Sequence, residues 1–324
     1  MKDRVLSFLR GNQGAYISGE AMSKALGITR AGVWKAVRSL RAKGYIIDAS
    51  PSKGYRFIKG LDMISVDDIR SVFRGETIGK EILSYESISS TNDRAMELGK
   101  EGWPDGTIVL ADSQTKGKGR LGRQWLSPPG VNIYMTVLLR PDTLPGEATI
   151  LALLGAVAVT GAIRKATEIH AAIKWPNDIL FGNKKAGGIL TEMKADMDRI
   201  HYIALGIGLN VNLDVSTLPQ DVAARATSIK ESLGMEFDRL VLIGRILEEL
   251  EHWYKILQKR GKSFILDEWK LMDSTIGKKI KAFSGGRELS GIAEGIDDEG
   301  ALLIRLQSGH IEKLNAGDVT ILKS

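Results

Sequence analysis

Residues 117–123 read Gly-Lys-Gly-Arg-Leu-Gly-Arg, with Trp125 two positions further on. Three glycines interleave there with three cations. Glycine leaves backbone N–H groups free to approach an anion, and Lys or Arg supplies the countercharge. The pattern predicts a loop that holds a phosphate or a carboxylate. A basic surface turn has the same composition, so the loop alone does not decide. It is not a Walker loop, because no Gly-Lys-Ser/Thr follows. Trp125, Ser127 and two prolines stand where a Rossmann fingerprint would begin its helix. The reading left is a mobile loop that orders on an anion.

A second constellation is Lys174-Trp175-Pro176-Asn177-Asp178, followed by Lys184-Lys185-Ala186-Gly187-Gly188-Ile189-Leu190. Pro176 and Asn177 predict a turn between strands, and Lys185 begins the next strand. A lysine at the mouth of an apolar pocket can bind a carboxylate and a phosphate together. A solvated strand end would look the same. The third element is Gly206-Ile207-Gly208-Leu209-Asn210. Glycines two apart in a strand share one face and leave room for something flat, or for close packing. His170, His201, His252 and His310 are scattered without metal-ligand spacing. No side-chain metal site is expected, and no nucleophile elbow supports serine hydrolysis.

These elements need a scaffold. The chain has 324 residues, enough for two or three domains, and no cysteine. Disulfides, Cys-ligated zinc and thiol catalysis are excluded, and a reducing, cytoplasmic setting is expected. The N-terminus lacks the apolar stretch of a signal peptide. Ala148 to Ile163 is the longest apolar run, too interrupted to span a bilayer easily, so a buried helix and no membrane partner are expected. Residues 1–60 hold twelve Lys/Arg against three Asp/Glu, a net of +9, whereas the whole chain carries +6. A module that basic is the electrostatic footprint of a nucleic-acid binder.

Within that module, Ser18 predicts a capped helix through Leu26 and Gly27-Ile28-Thr29 a tight turn. Val33, Val37 and Leu40 share one face of the next helix, which Thr29 can cap. This is a helix-turn-helix over about Gly19 to Arg38. Tyr45–Ile47 and Tyr55–Ile58 predict two strands with a basic tip at Ser50–Gly54, which makes a wing. Thr29, Arg30, Trp34, Lys35 and Arg38 would meet DNA from the second helix, and Lys53 and Arg56 from the wing. For Trp34, packing inside the module is the favoured alternative. Lys59–Leu61 is a linker candidate. Residues 65–270 mix helices and strands, including a long helix capped by Asp238. Beyond Trp269, short strands divided by turn residues suggest a small β-barrel over 271–324.

The three chemical elements, in this order, resemble the biotin protein ligases. The glycine-rich signature is Gly117 to Trp125 and the second signature is Lys174 to Asp178. Ser90-Thr91-Asn92, Gln114 and Gly206 to Asn210 match as well. With a winged helix in front and a small barrel behind, the resemblance covers essentially the whole chain. It is to the bifunctional type, ligase and biotin-operon repressor. The implied fold is α+β: a winged helix-turn-helix, a central mixed-sheet α/β domain of the biotin/lipoate ligase type, and an SH3-like β-barrel. Some members carry arginine where this chain has Lys118. Lysine keeps the charge but lacks the planar fork, so phosphate binding survives with altered geometry.

The resemblance implies that ATP, with Mg2+, activates biotin to biotinyl-5′-AMP. A lysine of a biotin carboxyl carrier protein, such as a carboxylase subunit, then takes the biotin. Lys185, Arg120 and Lys118 would be catalytic, with Lys185 bridging the biotin carboxylate and the α-phosphate. Biotin would lie against Ser90, Thr91, Asn92 and Gln114. Lys118, Gly119 and Arg120 would close over it, and Gly187, Gly206 and Gly208 would form the walls of the slot. Arg120, Arg123, Trp125, Lys174, Asn177, Asp178, Lys185 and Asn210 would hold the adenylate. Biotinyl-5′-AMP would also act as corepressor, favouring a homodimer on operator DNA, with Ile189–Lys194 as a possible edge strand. A lipoate-type ligase and a ligand-sensing repressor without turnover are the competing readings.

Overall fold

A computed structural model describes residues 2–10, 12, 14–42, 45–59, 63–284 and 286–322. Residues 60 and 61 of the expected linker lie outside them. The chain divides into two compact units, residues 1–63 and 64–324.

The first unit runs α1 (Lys2–Arg10), β1 (Tyr16–Ile17), α2 (Gly19–Leu26), α3 (Arg30–Ala42), β2 (Ile46–Ser50) and β3 (Gly54–Lys59). Its core is Val5, Leu9, Met22, Val33, Val37, Leu40, Tyr45, Ile47 and Phe57. The Ser18 hydroxyl accepts from the Ala21 N–H at 3.0 Å and starts α2, and Gly27 closes it in the left-handed region. Thr29 Oγ1 then accepts from the Gly32 N–H at 3.1 Å and starts α3. The sheet order is β1-β3-β2, all antiparallel, which makes the wing. Gly54 has φ +98°, and a Cβ there would fall on the Ile17 backbone, so only glycine lets β3 cross β1.

One expectation fails in this unit. Trp34 does not pack inside; it is 51% exposed. Val33, Val37 and Leu40 fill the inward face of α3, and position 34 lies about 100° around the helix from Val33.

The second unit continues through α4 (Val66–Val72), β4 (Ile82–Tyr85), α5 (Thr91–Lys100), β5 (Thr107–Ala111), β6 (Ile133–Leu139) and α6 (Ala148–Ala166). Then follow β7 (Ala171–Lys174), β8 (Asp178–Phe181), β9 (Lys184–Ala195), β10 (Ile200–Leu209), α7 (Gln220–Ala223), α8 (Ile229–Leu233), α9 (Arg239–Arg260) and α10 (Ser263–Met272). Seven strands form a mixed sheet in the order β4-β5-β6-β10-β9-β8-β7, with only β4 and β5 parallel. β5 and β6 are buried along their whole length because both sheet faces are covered. α6, α9 and α10 belong to one core and α5 to the other. α6 is long and apolar enough to cross a membrane, but Ile150 to Ile163 are all buried. Its apolarity is that of a core helix.

The chain ends in β11 (Lys279–Ser284), β12 (Arg287–Ile296), β13 (Leu302–Leu306), β14 (Ile311–Leu314) and β15 (Asp318–Ile321). They form a five-stranded antiparallel sheet in the order β14-β13-β12-β11-β15. Among the described residues β14 and β15 are its two edges, so the pairings give a small sheet without closing the expected barrel. Its inward residues Ile280, Ala282, Ala293, Leu302 and Ile304 join the core of the larger sheet. Trp175 links the two: it is fully buried, its N–H donates to Thr275 Oγ1 at 2.9 Å, and its Nε1–H to the Gly300 carbonyl at 3.0 Å. The Trp175–Pro176 bond is cis.

Trp175→Phe keeps most of the ring but leaves the Gly300 carbonyl unpaired inside the protein. Unfolding by urea should show a loss of about 1–3 kcal/mol. An unchanged midpoint would show that this bond does not brace the Lys174–Asp178 turn.

Candidate functional site

The glycine-rich segment leaves the sheet after β5 and returns at β6. Both ends are held by one side chain from the start of α9. Arg239 Nη1 donates to Asp112 Oδ1 at 3.2 Å and to the Asn132 carbonyl at 2.9 Å, with both side chains of the ion pair buried. Within the loop, the Gly119 N–H donates to the Arg123 carbonyl at 2.7 Å and the Trp125 N–H to the Gly117 carbonyl at 2.9 Å. Leu121 at the tip is 69% exposed with φ +55°, a conformation that costs a β-carbon residue roughly 1–2 kcal/mol. The loop, with Leu190 and Glu192 of β9, lines a cavity of about 600 Å³.

Each loop cation is tied to a different element. Lys118 pairs with Asp93 at the start of α5, and its ammonium is 3.6 Å from Glu192 on β9. The hydrogen bond to Asp93 raises the Lys118 ammonium above its ordinary value, against some desolvation. Arg120 Nη1 donates to Asn177 Oδ1 at 2.9 Å. Burial pushes the Arg120 guanidinium below its ordinary value, since its direct partner is neutral and Asp318 and Asp178 compensate only in part. Arg123 pairs with Asp318 on β15.

Beside Asn177 sits a second charged group. Asp178 accepts from Lys174 at 2.8 Å and from Lys185. Burial alone would raise the Asp178 carboxyl, but the two lysines outweigh it and hold it below the carboxylate range. The Lys185 ammonium also lies 5.6 Å from the centre of the Trp125 ring. Lys174, Lys185 and Arg120 thus surround one carboxylate and one amide. The surplus is positive, and its complement is an anion.

A buried polar row lies at the start of α5. Gln114 Oε1 accepts from the Thr91 N–H at 2.8 Å and from the Thr91 hydroxyl at 3.1 Å. Gln114 Nε2 donates to Ser127 Oγ at 3.0 Å. Thr136 Oγ1 is 2.8 Å from both Thr91 Oγ1 and Asn92 Oδ1. Ser90 caps α5, accepting from the Asp93 N–H. These groups can present donors and acceptors to a flat polar head such as a urea.

The glycines serve a purpose the spacing alone does not reveal. A Cβ at Gly206 would fall on Asn92, and one at Gly208 would lie 2.8 Å from the Trp125 indole. The flat object expected on this face is therefore Trp125 itself. Its Nε1 is buried against Gly208 without a hydrogen-bond partner among the described residues. Gly187 lets β9 approach the Gly208 carbonyl, where a Cβ would be 2.9 Å away. Gly119 lines the cavity beside Lys118 and Arg120. Asn210 spends both ends of its amide on the scaffold, accepting from Asn132 Nδ2 at 3.2 Å and donating to the Thr227 carbonyl at 3.0 Å. Asp93, Glu192, Thr136, Ser127 and Asp318 were not expected at the site. Asp93, Glu192, Thr136 and Asp318 carry only the signal of a polar residue inside a strand or first helical turn, and Ser127 lies in a loop.

In the first unit, Arg30, Lys35 and Arg38 are exposed on α3, and Lys53 is exposed on the wing. Thr29 is used as a cap. Arg56 folds back: it pairs with Asp48 at 3.2 Å and lies 4.5 Å from the centre of the Tyr16 ring.

Known proteins are similar to this chain in domain order and fold. Residues 84–210 match the Biotin/lipoate A/B protein ligase family, residues 2–56 the HTH domain, and residues 275–322 the Biotin protein ligase C terminal domain. These define the class, a biotin/lipoate-type ligase fold preceded by a helix-turn-helix. The chain is 40% identical over 306 residues to the bifunctional ligase/repressor BirA of Bacillus spizizenii, covering 94% of each. It is 29% identical over 312 residues to that of Escherichia coli, covering 95% of this chain and 94% of that one. The biotin protein ligase of Aquifex aeolicus, solved in complex with biotin and ATP, superposes with a TM-score of 0.65 at 29% identity. That match covers 76% of this chain and 100% of the other. The chain belongs to the bifunctional biotin ligase/repressor family.

Asp93→Asn weakens the strongest hold on Lys118. Limited trypsin digestion within Lys116–Arg123 of the ligand-free protein should run about twofold to fivefold faster, the scale of a half-exposed ion pair. Saturating biotin and ATP should slow it in both proteins. Equal cleavage in every condition would show that the pair does not restrain the loop and that ligand does not close it.

Proposed function

We propose that this site activates biotin with ATP and passes it to a lysine of a carrier protein. In the first step a biotin carboxylate oxygen bonds to the α-phosphorus of ATP, and the bond to pyrophosphate breaks, giving biotinyl-5′-AMP. In the second step the lysine amine bonds to the acyl carbon and loses a proton, and AMP leaves. The observation that carries this reading is the positive surplus around Asp178 next to the buried Thr91–Gln114 row. Negative charge grows at the α-phosphate in the first step, and preorganised cations stabilise it best where water is excluded.

Lys185 is assigned to bridge the carboxylate and the α-phosphate, exchanging its contact with Asp178 for the ligand. Arg120 and Lys174 flank it, while Lys118 and Arg123 close with the loop. Thr91, Gln114 and Ser90 take the ureido head, and the Trp125 ring beside Lys185 covers the adenylate. Among the described residues no cluster of three His, Asp or Glu could hold an ion. Mg2+ would therefore be carried by the triphosphate, whose charge it offsets. On this reading residues 65–270 form the catalytic domain, 271–324 an auxiliary one and 1–60 the DNA-binding one, in a cytoplasmic protein. Lys185→Ala should lower the rate of pyrophosphate release from ATP and biotin by roughly 10²–10³, the scale of one transition-state donor. A rate close to that of the wild type would remove Lys185 from this role.

The repressor half of the reading adds a ligand-promoted dimer on operator DNA. The support is in β9. Its pairing with β8 ends at Gly188, whereas its pairing with β10 continues to Ala195. The Ile189 N–H still donates to the Asn177 carbonyl at 2.9 Å. Beyond it, Thr191, Met193 and Ala195 have no paired strand on that side among the described residues, and Met193 is exposed. An open strand edge is a template for a second copy. Two modules related by a two-fold axis would then meet a two-fold site. Sedimentation should show dimers with biotin and ATP present and monomers without them. Identical profiles would end this reading.

A further inference from the structure

The outer side of α3 carries a single large apolar side chain among its described residues. Trp34 is 51% exposed, whereas Trp175 and Trp269 are fully buried. Arg30, Ala31, Lys35 and Arg38 are exposed around it. The Arg38 guanidinium, one turn on, stands 5.4 Å from the centre of the indole. That distance is within the range of a cation–π contact, which limits the freedom of the ring before any partner arrives. Three cations around one indole, on a segment of net charge +9, suit a polyanion rather than a neutral apolar partner.

The position on the helix narrows the chemistry. Trp34 is in the first half of α3, and the N-terminal residues of a recognition helix face base edges in the major groove. An indole face cannot pair with the donors and acceptors presented there. The apolar group on that edge is the C5-methyl of thymine. We propose that Trp34 reads thymine through this methyl group, with Arg38 holding the ring in place. Arg30 and Lys35 would supply phosphate contacts that carry no sequence information. This rests on the DNA-binding reading of the module and adds the base and the group recognised.

The test uses the full chain with biotin and ATP present. A randomised duplex library is enriched on the wild type, and affinities for the enriched duplex are measured from about 50 to 200 mM salt. Thymines are then replaced one at a time by uracil, which removes only the methyl. At one or two positions uracil should weaken wild-type binding roughly threefold to fivefold, the worth of one buried methyl-sized group. Trp34→Ala should bind the thymine duplex about tenfold or more weakly. It should ignore the uracil change and keep the wild-type salt slope. Arg30→Ala should reduce that slope by about one. Uracil tolerated everywhere, or equally felt by Trp34→Ala, would overturn the proposal while leaving DNA binding intact. Failure to enrich any sequence would remove it together with the DNA-binding reading. Trp34 is outside the module's core, so the variant is expected to fold, and circular dichroism checks this.

Discussion

Three cations of the second unit crowd around one carboxylate and one amide. Lys174 and Lys185 both lean on Asp178, while Arg120 leans on the neutral amide of Asn177. Like charges at that spacing repel unless something anionic lies between them, and burial makes the repulsion more costly than in water. The fold bears this cost by bracing the turn that carries Asn177 and Asp178. Trp175, fixed at both its backbone and its indole, joins that turn to the small terminal sheet. The terminal sheet therefore braces the candidate site, and it also supplies Asp318 to Arg123.

The same economy appears on the face of β10. Two missing side chains, at Gly206 and Gly208, admit Asn92 and Trp125. Asn92 ties the start of α5 to β9 through the Leu190 carbonyl at 3.2 Å and Glu192 at 2.8 Å. Trp125 brings the far end of the glycine loop down to the sheet and places a π face near Lys185. Charge, polar row and aromatic wall come together because the strand beneath them lacks β-carbons at alternate positions.

Local pattern reached most of the elements. The capped turn at Ser18–Thr29, the apolar spacing of α3, the buried run of α6 and the strand pair around Pro176 follow from period and punctuation. Packing of Trp34 is an expectation drawn from the size of the indole, whereas the spacing of Val33, Val37 and Leu40 already puts position 34 on another face. At the site, the glycine loop carries recognisable types at recognisable spacing, whereas Lys185 is told apart from a solvated strand end, and Thr91 and Gln114 are reached, only through the family resemblance. Asp93 and Glu192 carry no such signal, since an acid in a first helical turn or on a strand has ordinary uses. Their meaning depends on Lys118 arriving from a distant segment, which is a tertiary fact.

Arg239 touches both ends of the glycine-rich excursion, at Asp112 and Asn132. The segment is thus a ring fastened at one buried guanidinium. The entropy of bringing its ends together is lost when the sheet forms, before any ligand arrives. Only the freedom of the tip is left to lose on binding. A wide-ranging flap explores a large volume of solvent, whereas a pinned ring searches a small one.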